Sequence, residues 1–290
     1  MRNAAALLLH WLVNRSGYDL VKRPGMSLQG YYRGFRPESL EQRRFYNIGA
    51  GSFRHPYWSN VDYATEHYRA VQRGQFIPYD LMQLAPLPIE SGSAEIVYSS
   101  HTIEHVSDEA VRNLFRECYR ILKPGGGLRV TTPDAALEFQ AYQRNDRCYW
   151  YWTDWYSRPG SWEDQYTLPL GQASIQQLFL HHFASQLCEI DIDTTSTRKY
   201  SDAEIAAVFS ERPLEEALDF FTRQCKYNPG HPGNHINWWT QDKLVSFLKQ
   251  AGFAVCCRSG FGQSAFLPLR DTRFFDMTHP RISLYVEATK

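Results

Sequence analysis

The sequence predicts an α/β protein built on a parallel sheet. Three observations carry this. Short apolar runs bounded by turn residues alternate with helical patterns from Arg44 onward, the rhythm of parallel strands joined by crossovers. A glycine-bearing turn, Asn47-Ile48-Gly49-Ala50-Gly51-Ser52, follows the first such run. A strongly amphipathic stretch, 107–122, has apolar residues at i, i+3, i+4 and i+7.

In chain order, residues 1–21 read as a helix with Leu8, Trp11 and Leu12 along one side. It either docks on the main domain or lies on a membrane surface, with Trp11 at the interface and Arg2, Arg15, Lys22 and Arg23 near lipid phosphates. Residues 23–44, with Pro24, Gly25, Gly30, Gly34 and Pro37, read as a connector. Strands are expected at 45–48, 59–62, 76–79 and 94–99. In the helix that follows, Ser107 is the N-cap, with Asp108 and Glu109 in the first turn and Val111, Leu114, Phe115, Cys118, Tyr119 and Leu122 on the buried face. Lys123-Pro124-Gly125-Gly126 should close it. A fifth strand spans 128–132. Residues 135–235 break the rhythm as an insertion rich in aromatics. Thr240 then caps a helix bearing Leu244, Phe247, Leu248 and Ala251 that stops at Gly252, and strands follow at 255–258 and 282–288. The chain thus divides into 1–44 (helix and connector), 45–134 (core), 135–235 (substrate lobe) and 236–290 (end of the core sheet).

A chain of 290 residues with 31 basic and 31 acidic side chains can bury a large core and gives no global electrostatic support for nucleic-acid binding. The six cysteines show no C-x-x-C spacing and read as reduced, which fits a cytoplasmic location. The run Ala4–Val13 lacks an A-x-A cleavage site, and no apolar run reaches the ~20 residues that span a bilayer.

The order Gly49-Ala50-Gly51, Asn60-Val61-Asp62, Asp80-Leu81, His101-Thr102-Ile103-Glu104-His105, Lys123-Pro124-Gly125-Gly126 and Thr132-Pro133-Asp134 resembles the class I S-adenosylmethionine-dependent methyltransferases, in particular the small methyltransferase families associated with surface-glycan synthesis. The resemblance implies a Rossmann-like seven-stranded sheet whose last strand is antiparallel between the fifth and sixth. It implies S-adenosylmethionine as cofactor: Gly49, Ala50, Gly51 and Ser52 against its methionine part, Asp62 on the ribose hydroxyls with Tyr63 beside it, and Asp80 on the adenine amino group. Leu81 and Met82 would lie near the ring, and Ser99 and His101 at the end of the fourth strand. A dinucleotide enzyme is disfavoured, since the third glycine of G-x-G-x-x-G is missing and Asp62 follows too closely.

His101 falls where that fold faces the transferred methyl, so it is the first candidate for a base or acceptor-positioning group, or it hydrogen-bonds the cofactor. Asp134 either reaches the acceptor or anchors its own loop. Glu104-His105 reads as packing the turn into the helix. His231 and His235 could face the pocket, but the sequence offers no third ligand, and no metal is expected. Trp150, Trp152 and Trp155, with Asp154, Glu163, Asp164 and Gln165 nearby, suit a sugar ring, an aromatic small molecule or the lobe's own core. The expected activity is O-methylation of a sugar or glycan-linked acceptor in polysaccharide biosynthesis by a cytoplasmic protein; the membrane-surface reading of the N-terminal helix would add contact at the inner face of the membrane. The alternatives are an amine or carboxylate acceptor, and a non-catalytic cofactor-binding scaffold. The Asn/Asp-Pro-Pro-Tyr signature of amine methylation is absent where Ser99-Ser100-His101 stands.

Overall fold

The computed structural model describes residues 2–16, 29–69, 72, 74–153, 166–193, 195–196 and 198–290. Its centre is a seven-stranded sheet in the order β3-β2-β1-β4-β5-β7-β6. The strands are β1 (Phe45–Ile48), β2 (Trp58–Asp62), β3 (Ile77–Pro78), β4 (Ala94–Ser100), β5 (Leu122–Pro133), β6 (Val255–Arg258) and β7 (Ser283–Thr289). β1 pairs in parallel with β2 and β4, β2 with β3, and β4 with β5. β7 runs antiparallel between β5 and β6, as the resemblance implies. Strand order reverses between β1 and β4, and a cleft opens there at the strands' carboxyl ends.

One sheet face is covered as the alternation predicts. Helix α4 (Asp108–Ile121) and helix α9 (Gln241–Gln250) pack there, with Val111, Leu114, Phe115, Cys118, Leu244, Phe247 and Leu248 buried against the strands. Ser107 and Thr240 cap these helices by accepting from Ala110 N and Lys243 N. The opposite face differs from expectation. Among the described residues, the links from β1 to β2 and from β2 to β3 hold no α-helix, only a 3₁₀ turn at Glu66–Tyr68. The presumed connector covers that face instead, folded as α2 (Gln29–Gly34) and α3 (Pro37–Glu41). Tyr31 and Leu40 from it join Phe45, Trp58, Ile96, Tyr98, Leu269 and Phe275 in a second core.

The helix stop also moves. α4 ends at Ile121, and β5 starts at once, with Leu122 opposite Ala94. Lys123-Pro124-Gly125-Gly126 forms an irregularity at the start of that strand. Gly125, at φ +77°, donates its N–H to the Lys290 carbonyl. Without a Cβ it takes this left-handed conformation unstrained.

The insertion folds into a lobe with its own core. It contains α5 (Ala135–Gln143), α6 (Ile175–Ala184), α7 (Asp202–Glu211) and α8 (Leu214–Thr222), and it buries Trp150, Phe179, Phe183, Phe209 and Phe221. The N-terminal helix α1 is shorter than expected, Arg2–Arg15, and residues 17–28 lie outside the described ones. Leu8, Leu9, Trp11 and Leu12 on it are more than half exposed. Among the described residues, no helix is long and apolar enough to cross a membrane. All six cysteines are free thiols.

Candidate functional site

A cavity of about 700 Å³ opens at the carboxyl ends of β1, β2 and β4, roofed by the lobe. Its core-side wall is the glycine turn. Gly49 (φ +70°) and Gly51 (φ +50°) both occupy the left-handed region. A Cβ on Gly49 would lie 2.1 Å from Thr102 Oγ1, so this glycine is needed for contact with the loop after β4. A Cβ on Gly51 would meet nothing within 4 Å, so its backbone faces open space. Gly51 N donates to Asp62 Oδ2 at 2.7 Å, and Tyr63 N donates to Asp62 Oδ1 at 2.8 Å. The turn and the end of β2 are thereby one unit. Burial pushes the Asp62 carboxyl upward, against the lowering effect of those two N–H groups. The Gln72 side chain is a third donor to this carboxylate, whose roughly four acceptor sites leave room for a ligand donor.

Ala50, Ser52, Tyr63, Asp80 and Leu81 share this wall. Asp80 caps a 3₁₀ turn by accepting from Met82 N at 2.9 Å. Two residues expected here lie elsewhere. Met82 packs on the central core. Ser99 is buried within β4, because that strand runs on to Ser100 and the cavity wall begins there.

The other half of the cavity is lined by histidines: His67, His101, His105, His181, His182, His231, His235 and His279. His101 has φ +49°, an uncommon conformation for a side chain of this size. Its Nε2 lies 2.7 Å from Ser283 Oγ, and its Nδ1 lies 3.2 Å from Glu104 Oε1. Ser283 Oγ–H already reaches the His279 carbonyl at 2.8 Å, so His101 Nε2 is the donor to Ser283. Nε2 is committed to Ser283 and Nδ1 is directed at Glu104, which favours a positioning role over that of a base.

Glu104 does more than pack the turn. It is 1% exposed, and its backbone carbonyl accepts from Ile236 N and Asn237 N, tying the lobe's return to the core. Burial would raise its carboxyl, but the nearby His101 ring, with His105 and His235 behind, holds it down to about 2. Burial lowers His181 to about 4, His182 to about 3 and His279 to about 4, and takes His235 well below its ordinary range. His182 Nδ1 contacts Glu138 Oε1, whose carboxyl burial raises.

Asp134 is outside the cavity. It caps α5 through Leu137 N and pairs with Arg258 at 2.9 Å, so it anchors its own loop. Trp150 is 1% exposed and belongs to the lobe core, not to a binding surface. Trp152 does reach the cavity and stacks on His182, with centroids 4.7 Å apart and planes at 16°. Trp155, with its acidic neighbours Asp154, Glu163 and Asp164, lies outside the described residues. His235 lines the cavity as expected. Sequence reasoning missed His67, His279 and Tyr227, which no shared motif links; they come from separate segments that meet at the cavity.

Comparison with known proteins adds one segment-level finding. A family model described as a methyltransferase domain matches residues 57–130. A probable S-adenosylmethionine-dependent methyltransferase of Mycolicibacterium smegmatis is 41% identical over 51 residues, 18% of this chain and 19% of that protein, so the chain matches only about a fifth of its relative's length. Among solved structures, an S-adenosylmethionine-dependent methyltransferase from Mesorhizobium loti overlays with TM-score 0.37 at 18% identity, covering 92% of this chain and 99% of that one. One from Thermotoga maritima, described as a possible histamine N-methyltransferase, gives 0.39 at 14%, covering 91% and 87%. These two overlays add nothing to the strand order already described. Residues 57–130, which run from the approach to β2 into β5 and supply the Asp62 and Asp80 wall, match a methyltransferase domain, and the relative sharing sequence with this chain is named for its use of S-adenosylmethionine.

Proposed function

We propose that this protein is a methyltransferase that binds S-adenosylmethionine and methylates an oxygen of a sugar or glycan-linked acceptor. One observation carries the cofactor reading: Gly51 N is bonded to Asp62 Oδ2 at the point of strand reversal, with Asp80 on the same wall. An open glycine backbone beside a buried carboxylate suits a ligand carrying both an amino-acid end and a ribose. When bound, S-adenosylmethionine supplies an electrophilic methyl group for in-line displacement. The chain's own task is to orient the acceptor and exclude water. The cofactor wall and the histidine half form one continuous cavity, so both reactants share a space. Imidazoles, Asn234, Trp152 and Tyr166 in the far half offer polar atoms beside ring faces, as a hydroxyl-rich ring requires. His101 is the acceptor-positioning residue. The exposed Leu8, Leu9, Trp11 and Leu12 support a peripheral helix on a lipid surface, where a lipid-linked acceptor would be met.

Calorimetry with S-adenosylhomocysteine tests the cofactor reading. Wild type should bind, and Asp62→Ala should weaken binding at least about tenfold, about 1.4 kcal/mol. No heat from wild type would reject it. Labelled cofactor incubated with nucleotide sugars and lipid-linked saccharides tests the acceptor class.

A further inference from the structure

We propose that Glu104, His105 and His235 bind a divalent transition-metal cation of the zinc class in the histidine half of the cavity. One ligand atom from each of these residues lies within 4.8 Å of the others. Three features show that the cluster is built rather than accidental.

The first is how the rings are held. His105 Nδ1 lies 3.1 Å from the Asn234 carbonyl, and His235 Nδ1 lies 2.6 Å from the His182 carbonyl. A carbonyl only accepts, so each Nδ1 carries a hydrogen, and in the neutral tautomer this leaves the lone pair on Nε2. Metal-ligating histidines are fixed in this way, by the outer nitrogen donating to a carbonyl or carboxylate.

The second is the carboxylate. Glu104 is 1% exposed, and its Oε2 accepts from Thr132 Oγ1 at 3.2 Å. Its Oε1 accepts no well-formed hydrogen bond, although His101 Nδ1 lies 3.2 Å away, and His105 Nε2 faces it at 3.9 Å. Lone pairs from two rings and a buried oxygen therefore converge, an arrangement that a shared cation relieves.

The third is rigidity. The Glu104 carbonyl holds Ile236 N and Asn237 N, and Ser185 N holds the His235 carbonyl, so the segments carrying all three ligands are cross-linked. An ion about 2.0–2.2 Å from each tetrahedral ligand sets the ligand atoms roughly 3.3–3.6 Å apart, so separations of up to 4.8 Å close by up to about 1.5 Å through small side-chain rotations.

Two nitrogens and one oxygen suit zinc and its first-row neighbours, whereas magnesium and calcium take oxygen sets. Three protein ligands leave a position open toward the cavity. There the ion would polarise an acceptor oxygen, a role that rests on the methyl-transfer reading; binding of the ion does not.

The test is zinc titration of chelator-stripped protein by calorimetry, with cobalt(II) absorption as a second readout. One zinc per chain is expected, magnesium should give no comparable heat, and cobalt should show visible d–d bands. Glu104→Gln and His235→Ala should each weaken zinc at least about tenfold. His55→Gln, outside the cavity, should not. Thermal melts without metal establish that the variants fold. Should either unfold, the cobalt spectrum of wild type still reads the ligand set. The proposal is overturned if wild type binds no stoichiometric zinc, if cobalt gives only the spectrum of the hydrated ion, or if folded variants bind zinc as tightly as wild type. S-adenosylhomocysteine titrated into the stripped protein separates the two readings. Its binding without zinc affinity removes the metal site alone, and zinc affinity without it removes the methyl-transfer reading alone.

Discussion

Gly49 shows how much depends on a single missing methyl group. At φ +70° with Thr102 Oγ1 2.1 Å from where a Cβ would sit, Gly49→Ala combines left-handed strain with a clash. It should lose about 2 kcal/mol or more in urea denaturation. Gly51→Ala, strained but unobstructed, should lose less stability and chiefly cofactor affinity. His101 poses the complementary question. With its Nε2 on Ser283 and its Nδ1 beside Glu104, it shapes the histidine half of the cavity and not the Gly51–Asp62 unit. His101→Ala should therefore bind S-adenosylhomocysteine as wild type does and lose turnover. Full turnover in the variant would remove His101 from the reaction. The pairing of Gly51 with Asp62 was legible in the sequence because both sit in one short, ordered motif. Asp134 stayed open between the acceptor and its own loop because any acid after a strand can equally cap the next helix, and here Leu137 N and Arg258 claim it.

Among the elements, the strands were the most legible, since a short apolar run between turn residues has few other uses. α4 was legible from its stripe, but not its end. Lys-Pro-Gly-Gly reads as a helix stop, yet pairing with β4 and β7 draws those residues into β5. The aromatic insertion was illegible for a different reason. Side-chain type alone does not distinguish a ring that binds from one that packs: Trp150 fills the lobe and Trp152, two residues on, reaches the cavity. α1 poses a testable question at this scale. Its exposed Leu8, Leu9, Trp11 and Leu12 lie within about half the helix circumference. The double substitution Leu8→Lys, Leu12→Lys should abolish flotation with anionic vesicles and leave S-adenosylhomocysteine affinity unchanged. Flotation undiminished by the substitutions would rule out this face as the contact.

Across the whole molecule, two cores flank the sheet, and acid should act on the one beneath it. His55 sits among Tyr31, Tyr57 and Phe274, and its Nδ1 accepts from Tyr57 N at 3.2 Å. Burial lowers it to about 4; Asp271 opposes this, and Arg43 and Arg273 reinforce it. The unfolded chain then takes up the proton first. Stability is fully present above about pH 6.5, is lost as pH falls toward about 4, and levels off below. Urea titrations across that window should show a steeper decline for wild type than for His55→Gln; equal slopes would assign the acid sensitivity elsewhere. The role of this layer was hidden because residues 29–41 look like a linker until a sheet face lacking crossover helices needs covering.

Eight of the ten histidines line one cavity, and that gives the protein an unusual spectroscopic economy. Isotopic labelling of that amino acid alone would make nearly every imidazole resonance a reporter on the pocket, with His55 as an internal reference from the opposite layer. Tautomers, arrival of a cation and arrival of an acceptor could then be followed in one set of nitrogen shifts, without any substitution.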